Sequence, residues 1–197
     1  MQTKHTSQKI HILAECAITV ALATVLSFLK IWDSPYGGSI TLLSMTPIIL
    51  LSLRRGIRVG LIGGFVHSLL QLLLGLSTVA YVPTPVGILV CILTDYILPF
   101  TLLGLGGCFR NRNLLLRAAL GALLVTVIRY LCHIISGVVV WYELDLVWYA
   151  DDPSHIVNRF GPWTFSAVYN GIYMIPEIIA TTMGTALLAK ALDRIKK

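Results

Sequence analysis

The stretch Arg129-Tyr-Leu-Cys-His-Ile-Ile-Ser-Gly-Val-Val-Val-Trp141 sets His133, Gly137 and Trp141 four residues apart. On a helix that spacing stacks an imidazole, a gap and a large aromatic ring along one face, the make-up of a pocket wall. Asp95-Tyr96 and Asn170 supply further polar groups within otherwise apolar runs. A carboxylate ringed by tryptophan and histidine is a poor anion site and suits a flat heterocycle that is cationic or carries an amine. Aromatic faces attract cations by roughly 0.5–2 kcal/mol, the Asp95 charge neutralises them, and Asn170 can donate to and accept from ring nitrogens and amino groups. Catalysis is not indicated. No metal-ligand set, nucleophile motif or phosphate-binding loop is present, and Cys132 beside His133 turns toward another helix face.

The elements that position these residues follow from composition. Of 197 residues 56% are hydrophobic and only 12% charged, with a mean hydropathy of +0.82, whereas a soluble domain is about 25% charged. The chain is therefore expected to be an all-α integral membrane protein. At about 20 residues per span, this length accommodates a single transmembrane domain, 1–197, with six helices at about 10–31, 40–53, 59–74, 86–109, 114–141 and 163–192. It leaves no room for a soluble ATP-hydrolysing or catalytic domain. The first dozen residues are polar and basic and enter an apolar run without a small-residue cleavage signature, which predicts a retained helix. The net charge of +6 resides in Lys4 and Lys9; Arg54, Arg55 and Arg58; Arg110, Arg112 and Arg117; and Lys190, Arg194, Lys196 and Lys197. These are the termini and alternate loops, the positive-inside pattern, so both termini are predicted to be cytoplasmic. That distribution argues against nucleic acid and leaves anionic lipid as a secondary contact. Cys16, Cys91, Cys108 and Cys132 lack metal or CxxC spacing and read as small buried packing residues.

Along the chain, segment one carries Glu15 and the small-residue register Ala17-xxx-Ala21, which serves either internal packing or docking of another membrane subunit. The loop from Trp32 to Gly38 is rich in turn formers, and Trp32 is either an interfacial anchor or a lid over a ligand. Pro47 predicts an irregular second segment, tolerated at membrane depth only beside protein or a cavity. Gly60, Gly63 and Gly64 predict close packing in segment three, where His67 and Gln71 form an interhelical or ligand-facing pair. Asp95 must face a partner or water. Arg129 is one candidate, itself able to pair with Asp95, Glu15 or Glu177 or to snorkel to the interface. The acidic stretch Tyr142 to Pro162 is expected to be an external loop, and Pro176 to kink segment six. All four tryptophans, Trp32, Trp141, Trp148 and Trp163, fall at external loops, either as a belt or as lining of an outward-facing cavity.

The chain resembles the thiamine-specific substrate-binding (S) components of energy-coupling factor (ECF) vitamin transporters. The similarity runs from Glu15-Cys-Ala-Ile through Gly37-Gly-Ser-Ile, Leu43-Ser-Met-Thr-Pro47, Arg54-Arg-Gly56, Asp95-Tyr96, His133-Ile-Ile-Ser-Gly137 and Trp141 to Tyr169-Asn-Gly-Ile-Tyr-Met-Ile-Pro-Glu177. The resemblance implies a six-transmembrane-helix bundle in the prokaryotic plasma membrane that binds extracellular thiamine without catalysis, cofactor or metal. It implies transport through a membrane coupling subunit and two cytoplasmic ATPase subunits. Carried over by position, Trp141 stacks on a thiamine ring, and His133 and Gly137 contact the ligand. Asp95 is the facing carboxylate, Tyr96 and Asn170 are polar contacts, Trp32 is the lid aromatic, and Ala17 and Ala21 are the docking surface. Asp95 stands where some members have Glu, Phe165 where a tyrosine is expected, and His67 where segment three has a tryptophan. The alternatives are the same fold carrying a thiamine precursor such as the aminopyrimidine, an intramembrane enzyme, and a self-sufficient carrier. The chain lacks the clear internal repeats many carriers show.

Overall fold

The computed structural model describes residues 2–34, 38–110 and 112–195. Gly37 of the loop and Lys196 and Lys197 of the basic tail lie outside the described residues, as do the side chains of Lys4 and Arg194. The chain forms a helical bundle. Five stretches are long and apolar enough to cross a membrane: Ser7–Phe28, Ile57–Leu74, Pro85–Gly107, Leu114–Trp148 and Pro162–Asp193. We label α1 (Gln2–Phe28), β1 (Lys30–Asp33), β2 (Ser39–Thr41), α2 (Thr46–Arg55), α3 (Ile57–Leu74), α4 (Leu76–Val79), α5 (Pro85–Cys91), α6 (Leu98–Thr101), α7 (Leu114–Ser136), α8 (Tyr142–Trp148), α9 (Ile156–Arg159) and α10 (Pro162–Ile195).

Several boundaries differ from expectation, each for a local reason. Segment one ends at Phe28, and residues 30–33 instead pair antiparallel with 39–41 in a hairpin. Pro47 does not kink segment two. It sits in the first turn of α2, where its missing N–H is harmless, and α2 is only ten residues long, about 15 Å and half a hydrocarbon core. The next turn depends on Gly56, whose φ of 91° favours glycine. Thr84 caps α5 through its hydroxyl, with Pro85 at the first position, and Asn113 caps α7 by accepting from the Leu116 N–H at 2.8 Å. The helical path of α7 continues to Trp148, so Glu143 and Asp145 belong to a helix rather than to a loop. Beyond it, Ser154 donates its hydroxyl and N–H to Asp152, holding that exposed carboxyl below its ordinary range. Helix α10 runs through Pro176 as one element.

Two wall helices leave α geometry near their middles. Ile92–Ile97 and Gly137–Trp141 are π-helical, with i→i+5 hydrogen bonding, and Leu102–Gly107 is a 3-10 segment. The 3-10 segment lies backbone to backbone against its neighbours. A Cβ on Gly104 would meet the Gly60–Leu61 main chain, and one on Gly121 would meet the Gly106 carbonyl. Ser52 of α2 ties in by donating to the Gly104 carbonyl and accepting from the Gly107 N–H at 3.0 Å. Around this contact Val20, Ala23, Met45, Ile48, Ile49, Phe100, Leu103, Ala122 and Val125 form the core. Gly60, Gly63 and Gly64 serve the close packing expected of them. Cys91 and Cys132 are buried, but Cys108 is exposed at the end of its span, contrary to expectation.

Glu15 pairs with Arg54 at 3.0 Å and Arg55 at 2.5 Å, joining α1 to α2. Ala17 and Ala21 do not pack within the bundle. They lie on the exposed face of α1 with Leu13, Ile18 and Leu22, while Val20 and Ala23 face inward. Gly104→Val should lower stability by about 1–3 kcal/mol through overpacking, read as a drop in the thermal midpoint of the detergent-solubilised protein. Gly161→Val, where a Cβ meets nothing within 4 Å, should leave the midpoint unchanged.

Candidate functional site

A cavity of about 420 Å³ opens between the hairpin, the span Pro85–Gly107, the α7–α8 path and α10. Asp95, Tyr96, His133, Gly137, Trp141 and Asn170 all line it. Trp32 does not: it sits in β1, 40% exposed, while its neighbours Lys30 and Asp33 face the cavity. Of the other tryptophans, Trp148 packs edge-on against Tyr81 at 6.0 Å and Trp163 is 64% exposed. Trp141 is therefore the tryptophan of the wall, and the remaining three are peripheral.

Both π-helical turns fall at this cavity. One carries Asp95 and Tyr96, the other Gly137 to Trp141, in keeping with the frequency of π turns at functional sites. Asp95 is their meeting point. Its Oδ2 accepts from the Ser136 hydroxyl at 2.6 Å, the Trp141 indole N–H at 3.0 Å and the Cys91 thiol at 3.4 Å, and its Oδ1 pairs with His133 Nδ1 at 3.0 Å. The tautomer of His133 follows from its other side. Arg129 Nε can only donate, and it donates to His133 Nε2 at 3.2 Å. Nε2 is thus the acceptor, and Nδ1 carries the proton given to Asp95.

His133 accordingly has both ring nitrogens engaged and offers the cavity its ring face. Asn170 is similarly committed. Its Nδ2 donates to the carbonyls of Ser166 at 2.9 Å and His133 at 3.3 Å and to the Ser166 hydroxyl at 3.2 Å, and its Oδ1 accepts from Tyr173 at 2.5 Å. Gly137 permits this approach, because a Cβ there would collide with Ser166 Oγ. The Tyr96 hydroxyl donates to the Gly75 carbonyl at 3.2 Å.

Arg129 pairs with none of the carboxylates considered for it. Among the described residues no carboxylate oxygen lies within 4.0 Å of it, and Glu15 is taken by Arg54 and Arg55. Its guanidinium sits over the Phe100 ring, 4.5 Å from the centroid, and lines the cavity. Glu177, 1% exposed, instead fastens the hairpin, accepting from the Thr41 N–H at 2.9 Å and hydroxyl at 2.7 Å. The strand ends are held too, by Ser34 to the Tyr169 hydroxyl at 2.9 Å and by Gly38 against the Tyr173 ring. His67 is a buried interhelical contact, bonded to Thr24 at 3.1 Å and edge-on to Phe100. Gln71 donates to Ser27 at 2.8 Å and lines the cavity.

Asp145, in a stretch that reads as loop, also lines the cavity. The four-residue register of His133, Gly137 and Trp141 continues to Asp145 and is the signal for it. Ser136, at helical spacing from His133, carried a similar one. Among the described residues no three His, Cys, Asp or Glu side chains are placed to hold a metal ion. Ser136→Ala should lower stability by about 1.5–3 kcal/mol, the worth of a hydrogen bond to a charged group, measured by thermal or denaturant unfolding in detergent.

Comparison with known proteins gives a consistent picture. A family model described as thiamine transporter protein (Thia_YuaJ) matches residues 13–197. The thiamine transporter ThiT of Bacillus subtilis (strain 168) is 30% identical over 203 residues, covering 94% of this chain and 93% of that protein. A solved structure of ThiT from Listeria monocytogenes superposes with a TM-score of 0.71 at 27% identity, over 95% of this chain and 97% of its own.

Proposed function

The chain belongs to the thiamine transporter family of multi-pass plasma-membrane proteins, and we propose that its cavity captures extracellular thiamine for delivery by an ECF importer. It is a substrate-binding transport protein rather than an enzyme, with thiamine as its ligand. The observation that carries the reading is the Trp141 ring, held by its indole N–H on Asp95 and facing a cavity of about 420 Å³. A ring locked in place costs little to order on binding and presents its face to a flat cation. His133 adds a second ring, Gly137 lets Ser166 and Asn170 pack close behind it, and Tyr96 and Asn170 add polar groups to the lining. Trp32 has a weaker claim, since its side chain lies off the cavity.

The orientation proposed has both termini in the cytoplasm. Glu15, with its arginine partners, and Phe28, at the cavity, lie about 20 Å apart along α1. The basic turn thus marks the end of the bundle opposite the cavity, as the positive-inside rule requires. Ala17 and Ala21, outward-facing on α1, are the proposed docking surface for the transmembrane coupling subunit, with two cytoplasmic ATPase subunits driving release. Small residues on an exposed face allow close helix approach.

Titration of the purified protein with thiamine and, separately, with its aminopyrimidine half, followed by tryptophan fluorescence, tests the ligand. Strong quenching by thiamine and a weak response to the fragment are expected. Equal or better binding of the fragment would make the protein a precursor carrier. Trp141→Ala should weaken thiamine binding at least tenfold, about 1.4 kcal/mol. Ala21→Trp should leave affinity intact and abolish uptake in vesicles containing the coupling and ATPase subunits, and the chain reconstituted alone should show no uptake.

A further inference from the structure

We propose that Asp145 is the carboxylate that meets the cationic ring of the ligand, making it a specificity-determining residue of the cavity. The inference rests on thiamine being the ligand. Asp95, the acid marked by the sequence, is largely committed: Oδ2 takes three donors and Oδ1 a fourth, leaving little room for a ligand atom. Asp145 is the reverse case. It is 4% exposed and lines the cavity. Among the described residues no hydrogen bond or ion pair reaches its carboxylate; the group acting on it electrostatically is the His155 imidazole, outside ion-pair distance. A carboxylate that faces the cavity without a protein partner lacks a countercharge, and a cationic ring supplies one.

Position on the helix points the same way. Asp145 lies one α-helical turn beyond Trp141, so a cation stacked on the indole face has this carboxylate as its neighbour. Arg129 lines the same cavity from about four turns earlier on the same helical path, its guanidinium unpaired with any acid among the described residues. Of the other charged groups in the lining, Lys30 and Asp33 pair with each other and Asp95 is engaged by its donors, which leaves Asp145 and Arg129 as the acid and the base without an ion-pair partner among the described residues. A molecule with one cationic and one neutral ring enters with the cationic thiazolium toward Asp145 and Trp141. Its neutral aminopyrimidine, whose ring nitrogens accept hydrogen bonds, lies toward Arg129.

The test is calorimetric titration of the full-length protein in detergent, comparing parent, Asp145→Asn, Asp145→Glu and Asp95→Asn. The ligands are thiamine and an uncharged isostere in which carbon replaces the thiazolium nitrogen. The parent should prefer thiamine. Asp145→Asn should weaken thiamine at least tenfold while changing the isostere less than threefold, and Asp145→Glu should recover most of the loss. Asp95→Asn should weaken both ligands together, because it loosens Trp141. Equal loss of both ligands in Asp145→Asn, or no loss of thiamine, would overturn the assignment. Asp145→Ser gives the same comparison should the Asn variant not fold. A parent that binds neither ligand would instead overturn the thiamine reading, and this proposal with it.

Discussion

The carboxylate of Asp95 sits in the interior of a membrane span, where an acid costs about 2.5–3.5 kcal/mol on insertion scales unless it is satisfied. The remainder of the site answers that requirement. The charge-assisted donors come mainly from one stretch of the neighbouring helical path, His133, Ser136 and Trp141. In satisfying the acid they are themselves fixed. The indole ring cannot rotate without losing its bond, and the imidazole is held in one tautomer between Asp95 and Arg129. A buried charge thus becomes a means of ordering two rings, and burial of an unmatched acid is the price of losing either.

Three of the acids in or beside the cavity divide the labour. Asp95 holds the aromatic wall. Glu177 holds the hairpin, bridging Thr41 to α10, so that Lys30, Asp33, Gly38 and Ser39 stay over the cavity. Asp145 is engaged by neither task. Buried polar groups that structure consumes are invisible to a ligand, and those it leaves over are what a ligand recognises.

Much of this was readable from residue order. Apolar run lengths marked the long helices, the glycines of α3 its close packing, and the four-residue register of His133, Gly137 and Trp141 one wall. The failures share physical causes. Helix ends were misjudged where turn formers such as Ser34 and Gly38 closed a hairpin and where helix ran on through Glu143 and Asp145, polar residues that read as loop. Pro47 looked like a breaker because its place in the first turn depends on where α2 begins. Trp32 was weighed by type, but strand pairing decides which way its side chain points. Neither π-helical turn left any mark in composition or period.

Those two turns separate the scaffold from the site. A π turn is a helical turn holding about one residue more than its α counterpart. Elsewhere in a packed span, loss of one residue rotates all that follows by about 100° and ruins the packing. Within Gly137–Trp141 such a loss can be absorbed by closing the turn to regular α geometry, with both flanks still seated. The bundle then survives and the wall of the cavity does not. Chain length through five residues, rather than their identity alone, is what carries the binding geometry here.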